Sequence, residues 1–179
     1  MATETLEREG ITDREWQRTA TEALSPPQTM LTALAGSEWA ITWQLPADPA
    51  EPLGKRVVGV PPSWAVPTVE RMAELLSLPP NWDSYGALQI DHACVNAASD
   101  LLCGVMRATS PVPSVVPTCR GGVQMEWHMR GADLEVEFFT PAHVRGYYQD
   151  RQSGESWEAD LSSDVTPLAD AIATLTQRE

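Results

Sequence analysis

The sequence predicts an α+β fold in which an antiparallel meander sheet of about five strands has helices packed on one face. Three observations predict it: five short segments of alternating apolar residues lie between residues 112 and 161, the links between them are short, and helical stripes flank them. Strands joined by such short links pair as antiparallel neighbours. The apolar face of this sheet must be covered, and the helices are the elements available to cover it.

The helices are predicted from apolar residues that recur with helical spacing. The first stripe ends at Leu76, ahead of Pro79-Pro80. The second begins after Asp91, whose side chain suits a helix N-cap. The third begins near Thr166-Pro167, where a capping residue precedes a first-turn proline. The residues that we expect the third helix to bury are Leu168, Ile172 and Leu175.

The predicted strands span residues 112–118, 123–129, 134–139, 143–149 and 156–161. A link closed at Arg130–Asp133 sets Trp127 opposite Val136, and the last link sets Trp157 opposite Tyr148. In this register one face is apolar across four strands, and a slip of one residue would turn a strand over. The central structural expectation is therefore that these four side chains point into the core.

The division of the chain is predicted from the distribution of proline. Eight of the fifteen prolines fall between Pro26 and Pro67, and each removes a backbone hydrogen-bond donor. We therefore expect residues 1–60 to be an acidic, proline- and tryptophan-rich extension, and residues 61–179 to be the α+β core domain.

Two elements are predicted inside the extension. Thr12–Ala23 has the pattern of a short helix. Trp39–Leu45 alternates as a half-buried strand does, and Lys55–Val60 is its expected antiparallel partner, which gives a hairpin within residues 38–60.

Charge and composition exclude several classes of protein. Twelve basic residues against 25 acidic residues give a net charge of −13, which argues against non-specific binding to nucleic acid or to a membrane surface. The N-terminal residues lack the apolar segment of a secretory signal, and no apolar run approaches the ~20 residues of a membrane span.

The three cysteines lack C-x-x-C spacing, so no disulfide framework or structural zinc site is expected. A single lysine beside eleven arginines is typical of a GC-rich bacterial genome. We expect a cytoplasmic bacterial protein without a cofactor.

The predicted register places two polar rows on the opposite face of the sheet. One row is Glu126, Glu137, Arg145 and Asp160; the other is His128, Glu135, Tyr147 and Glu158. The second row is a candidate catalytic cluster, in which Glu135 holds one tautomer of His128 and Tyr147 donates to an oxyanion. The alternative is a solvated sheet face without chemistry. In the first row Glu126 lies beside Glu137, and like charges there call for a cation. Arg145, which lies between acidic residues, is placed to supply it. A metal site is not expected, because Arg145 competes for the carboxylates of the first row.

The loop Asn81–Gly86 has two open interpretations. Trp82 and Tyr85 either fill the core while Asn81 or Asp83 caps backbone donors through an Asx turn, or Asp83 and Tyr85 contact a partner or substrate at the surface. Trp82, Asp83 and Tyr85 are therefore candidate binding residues.

Residues 78–87, LPPNWDSYGA, and 117–127, PTCRGGVQMEW, resemble a paired signature of a family of small bacterial proteins. In that family N-W-D-G/S-x-G-A precedes a helix, and P-T-x-x-G-G-V/I-Q-L-E-W opens a sheet. The resemblance covers about residues 67–160. It implies a domain boundary and a fold, and it adds no catalytic residue, since no activity is established for that family. Cys119-Arg120 stands where an acidic or small residue is usual, and Met125 replaces an aliphatic residue.

Three functions remain open at this point. The favoured function is a protein-binding module, with Trp39 and Trp43 as further candidate anchors. The more specific version of this hypothesis is an antitoxin, immunity or defence-associated protein that blocks a basic partner. The second is a small hydrolase or transferase that uses the row of His128, with Asp83 at its rim. The third is a structural or self-assembling subunit, a homo-oligomer in which the hairpin extends a neighbour's sheet.

Overall fold

The computed structural model describes residues 29–32, 39–44 and 54–178. The predicted helix at Thr12–Ala23 and the side chain of Trp43 lie outside the described residues. The described part contains a three-stranded sheet, a five-stranded sheet and three helices, which confirms the predicted α+β class.

The five-stranded sheet is the predicted antiparallel meander, with its strands in sequence order. Its strands are β4 (Ser114–Pro117), β5 (Val123–Met129), β6 (Ala132–Thr140), β7 (His143–Asp150) and β8 (Ser156–Asp160). The smaller sheet consists of β1 (Thr29–Thr32), β2 (Ala40–Gln44) and β3 (Gly54–Val58). The pairing of β2 with β3 is the predicted hairpin; β1 was not predicted.

The helices are α1 (Ala65–Leu76), α2 (His92–Val105) and α3 (Thr166–Gln177). The predicted cap of α2 is confirmed, because the Asp91 carboxylate accepts the Ala93 N–H at 2.8 Å. The cap predicted for α3 is wrong by one position: Val165 is the N-cap and its side chain makes no capping bond. Asp164, one residue earlier, accepts the Thr166 N–H at 2.9 Å. A carboxylate satisfies the first free N–H of the helix, so Thr166 itself enters the first turn.

A single hydrophobic core joins the helices to both sheets. Helix α1 contacts β2 and β4, and α2 contacts β1, β5 and β6. Trp127, Val136 and Tyr148 are buried, and Trp157 is half-buried against the same core, which confirms the expected inward face. Ile41 of β2 is 0% exposed and belongs to this core. The division at residue 60 stays a prediction.

The predicted register between β5 and β6 is wrong by two residues. Trp127 lies opposite Leu134 rather than Val136, because the chain turns at Arg130 and Gly131 alone. Both residues have positive φ, 53° and 79°, as a two-residue type I′ turn requires. A slip of two residues keeps every side chain on its face, so the apolar and polar faces survive while the cross-strand partners change.

The registers of β6 with β7 and of β7 with β8 are as predicted. Glu135 lies opposite Tyr147, and Tyr148 lies opposite Trp157. The backbone N–H of Leu161 donates to the carbonyl of Val144 at 2.8 Å, which continues this register beyond β8.

Candidate functional site

The polar face of the five-stranded sheet points away from the helices and carries three cross-strand rows. The rows are Gln124, Glu137, Arg145 and Asp160; Glu126, Glu135, Tyr147 and Glu158; and His128, Asp133, Gln149 and Ser156. Every second residue of β5 to β8 contributes to this face, because side chains alternate along a strand. The corrected register therefore gives His128 and Glu126 different neighbours from those expected.

His128 lies among three carboxylates. Its Nδ1 is 2.9 Å from Oδ1 of Asp133, and its Nε2 is 3.5 Å from Glu126 and 3.9 Å from Glu135. The expectation that Glu135 is its cross-strand partner is wrong, since the register places Asp133 there. The hydrogen bond with Asp133, assisted by the charges of Glu126, Asp133 and Glu135, raises the pKa of His128 above its usual value against a smaller opposing effect of desolvation.

Two glutamates, Glu126 and Glu135, oppose each other directly on β5 and β6. Like charges in this position are destabilising. The Gln124 side-chain amide donates to both of them, at 2.9 Å and 3.2 Å. The expectation that Arg145 relieves a Glu126–Glu137 pair is thus wrong, because the slipped register separates those two glutamates.

Arg145 lies farther across the sheet, opposite Glu137 and Asp160, and forms an ion pair with Glu158. The prediction that it lies between acidic residues is confirmed. Both side chains of its ion pair are half or more exposed, so the pair contributes little to stability.

The candidate catalytic residues do not share one hydrogen-bond network. His128 contacts Asp133, Glu158 contacts Arg145, and the Tyr147 hydroxyl donates to Gln149 at 3.2 Å. The depression between Glu135, Tyr147 and Glu158 holds about 120 Å³. Sites for small molecules usually hold ~300 Å³ or more, so this part of the face is close to flat.

A wider groove lies at the corner of the face formed by β4 and β5. It holds about 440 Å³ and is lined by Val112, Pro113, Ser114, Glu126, His128 and Met129. Both ring nitrogens of His128 face carboxylates, and no hydrogen bond joins His128 to Ser114 in the described part of the chain. The groove combines an apolar wall with an acidic rim.

Metal ligation was not expected on this face. Within residues 39–44 and 54–178 no group of histidine, cysteine, aspartate and glutamate side chains is arranged to hold a metal ion. Arg145 and Arg151 occupy positions beside the carboxylates, with Arg151 2.6 Å from Asp133.

The loop Asn81–Gly86 is built by the Asx turns expected from its sequence. Oδ1 of Asp83 accepts the N–H groups of Tyr85 at 2.8 Å and Ala87 at 3.0 Å, and Oδ1 of Asn81 accepts that of Gly86 at 2.7 Å. These backbone bonds lower the pKa of Asp83 below its usual value, with the bond from Tyr85 contributing most. Asn81 adopts the left-handed conformation at φ 62°.

The chain that directly follows the segment 78–87 contacts the second segment, 117–127. The Leu88 N–H donates to the carbonyl of Cys119 at 2.9 Å, and the Asp91 N–H donates to that of Gly121 at 2.7 Å. A Cβ on Gly121 would lie 2.8 Å from the carbonyl oxygen of Gln89, at a φ of +85°. The glycine is therefore needed for the close approach of the loop to the β4–β5 turn.

The candidate binding residues of this loop differ in exposure. Tyr85 is 94% exposed, so the interpretation that it fills the core is wrong. Asp83 is engaged by the loop backbone, and Trp82 is half-buried with an indole N–H that is buried without a partner in the described residues.

Among the N-terminal tryptophans, Trp39 is half-buried and packs edge-on against Trp64 at 6.1 Å. Trp64 is buried and its indole N–H donates to the Arg107 carbonyl, so it acts as a core residue rather than a surface anchor.

Four residues of the polar face were not predicted from the sequence: Gln124, Asp133, Gln149 and Ser156. The dipeptide Arg130-Gly131 was the available signal, because a two-residue turn there places Asp133 opposite His128 and Gln124 beside the glutamates.

Comparisons with known proteins found no match: no family model, no curated protein and no solved structure is similar to this chain. None of the helices among the described residues has the length and apolar character needed to cross a bilayer.

Proposed function

We propose that this chain is a protein-binding module that docks a basic partner on the polar face of its five-stranded sheet. The observation that carries the proposal is the excess of carboxylates on that face. The carboxylates are Glu126, Asp133, Glu135, Glu137, Glu158 and Asp160. Arg145 is the guanidinium within the face, and Arg151 reaches Asp133 from the neighbouring loop.

Charge complementarity selects the partner. A surface with this acidic excess, on a chain with a net charge of −13, attracts a basic surface and repels nucleic acid. Complementary charges act mainly on association rate and specificity. A partner patterned with arginine and lysine fits the rows of this face.

The shape of the face also favours a macromolecule. The central depression of about 120 Å³ is too small for most small-molecule sites. The corner groove beside Val112 and Met129 has an apolar wall, and a partner side chain placed there would add the buried apolar contact that interfaces need.

The same proposal includes the kind of binding protein that this chain is. An antitoxin, immunity or defence-associated protein in the bacterial cytoplasm would act by covering a basic surface of its target. The structure offers no converged catalytic cluster among His128, Glu135, Tyr147 and Glu158, so we do not carry the hydrolase hypothesis forward.

A pair of matched charge variants tests the proposal. In the face variant, Glu135→Gln and Glu137→Gln remove two charges from the polar face. In the control, Glu74→Gln and Asp100→Asn remove two exposed charges from α1 and α2. The tagged full chain and both variants are purified from cells that express them at native level, and the retained proteins are quantified by mass spectrometry.

We expect a stoichiometric basic partner that the control retains and the face variant holds about tenfold more weakly. Equal retention by the two variants, or recovery of the chain alone, would contradict the proposal.

A further inference from the structure

A second pocket lies on the other side of the sheet, where the edge strand β8 meets the start of α3. It holds about 320 Å³ and is lined by the aromatic rings of Tyr148 and Trp157 and by the carboxylates of Glu155, Asp164 and Asp170. Tyr148 and Trp157 point to the helix-covered side of the sheet. The pocket is therefore separate from the polar face, and it does not depend on the function proposed for that face.

Tyr148 brings an unused polar group to this pocket. Its side chain is 2% exposed, yet its hydroxyl forms no hydrogen bond within the described part of the chain. The hydroxyl oxygen is not among the buried side-chain atoms that lack a partner, so it is accessible from the pocket. The hydroxyl is thus available to a ligand that can donate or accept.

The three carboxylates give the pocket a negative charge. None of them forms an ion pair among the described residues. Asp164 is engaged by the start of α3: its Oδ1 accepts the Thr166 N–H at 2.9 Å, and hydrogen bonds with the side chain and backbone of Thr166 lower its pKa. Glu155 and Asp170 are therefore the carboxylates open to a ligand. The positive end of α3 offsets only about half a unit charge.

Arg178 interacts electrostatically with Tyr148 but is engaged by another carboxylate. It donates to both carboxylate oxygens of Asp150, at 3.0 Å and 2.5 Å. Asp150 is 2% exposed and lies opposite Ala132, the first residue of β6. Arg178 is therefore held outside the pocket as the partner of a buried charge.

The aromatic walls favour a flat cation. The ring centroids of Tyr148 and Trp157 lie 5.6 Å apart at an interplanar angle of 32°, and Trp157 is half-buried. A guanidinium group stacks on aromatic rings and donates to carboxylates in pairs, whereas an ammonium group is compact and strongly hydrated.

We propose that this pocket binds a guanidinium group. The cation stacks on Trp157, donates to the carboxylates of Glu155 and Asp170, and donates to the Tyr148 hydroxyl oxygen. Two sources share this chemistry: an arginine side chain of another protein, and a free guanidinium compound.

The first test is a titration of the ¹⁵N-labelled full chain with Nα-acetylarginine amide, followed by NMR. We expect chemical-shift changes at the Trp157 indole N–H and at the backbone of residues 164–171, and none of comparable size on the polar face. Nα-acetylcitrulline amide is the matched ligand without charge, and we expect it to bind at least about tenfold more weakly. Equal binding of the two ligands, or shifts spread over all acidic surfaces, would overturn the proposal.

Variants then locate the site. Tyr148→Phe removes only the hydroxyl, and Asp170→Asn removes one exposed charge; we expect each to weaken binding about three- to fivefold. Asp100→Asn is the matched control, because Asp100 is exposed on α2 and does not line the pocket. Weakening by Asp100→Asn equal to that by Asp170→Asn would refute the assignment.

A last comparison distinguishes the two sources. A capped peptide with one central arginine and methylguanidinium are titrated separately. Tighter binding of the peptide supports a protein partner, and equal or tighter binding of methylguanidinium supports a free compound. Absence of binding by both refutes the pocket proposal and leaves the polar-face proposal to its own charge variants.

Discussion

At the scale of single residues, His128 shows how position on a sheet sets the behaviour of a side chain. Its ring is half-exposed, yet it lies within 4 Å of three carboxylates from β5 and β6. Neighbouring negative charge and a hydrogen bond to Asp133 favour the protonated form. The polar face therefore stabilises the charged form of His128.

Asp133→Asn should lower the pKa of His128 toward the ordinary value of about 6.5, because it removes the strongest favourable contact of the imidazolium. NMR titration of the histidine ring measures this directly. Glu137→Gln, on the same face but in a different row, is the control and should leave the pKa in place. A wild-type pKa at or below 6.5 would contradict the structure.

The hydrogen bond between His128 and Asp133 also makes the stability of the fold depend on pH. The folded-state pKa of His128 is raised, so the stabilisation is complete below the unfolded-state value and is lost as pH rises through the folded-state value. Asp133, whose pKa is lowered mainly by His128, remains ionised at pH 5.5. Urea unfolding should therefore show a larger gap between wild type and Asp133→Asn at pH 5.5 than at pH 8.5.

At the scale of elements, the β4–β5 turn is fixed by close backbone contacts. A Cβ on Gly122 would lie 2.0 Å from the carbonyl oxygen of Phe138, and one on Gly121 would lie 2.8 Å from that of Gln89. Each glycine thus allows one neighbour, β6 or the loop after Gly86, to approach the turn. The contact with Gln89 holds the chain after Gly86 against the β4–β5 turn.

Gly122→Ala should lower the free energy of unfolding by about 2–4 kcal/mol, because the clash involves backbone that cannot move aside. Gly104→Ala is the matched control, since Gly104 lies in α2 with open space around it. That change should raise the free energy of unfolding by up to about 1 kcal/mol. Urea unfolding of both variants measures these changes. A loss of less than about 1 kcal/mol in the free energy of unfolding for Gly122→Ala would argue against the close contact of Gly122 with Phe138.

At the scale of the whole molecule, α1 and α2 contact both sheets, and one core runs through all described layers. Ile41 is the clearest link, because it belongs to the small sheet and is 0% exposed. Val57, its cross-strand partner on β3, is 40% exposed.

Ile41→Ala should therefore lower the stability of the entire fold by about 2–4 kcal/mol, within a single unfolding transition. Val57→Ala, a smaller truncation of a side chain that is 40% exposed, should cost about 0.5 kcal/mol or less. Two separate transitions for wild type, with only one affected by Ile41→Ala, would show that the small sheet unfolds independently.

The sequence determined the helices, the meander and the two faces of the large sheet. Periodicity carried this information: a period of two separates Trp127 and Tyr148 from Glu126 and Tyr147 whatever the exact partners are. The loop Asn81–Gly86 was also readable, since the side chains of Asn81 and Asp83 bond to nearby backbone.

Only the tertiary structure decided which residues face each other across the strands. The tight turn at Arg130-Gly131 shifted the register by two, and replaced Glu135 by Asp133 as the partner of His128. A two-residue shift leaves the pattern of apolar and polar positions unchanged, so periodicity contains no information about it. The pocket lined by Tyr148 and Asp170 could not be predicted from the sequence either. Its residues come from strand β7 and helix α3, which are distant in the sequence and meet only in the folded structure.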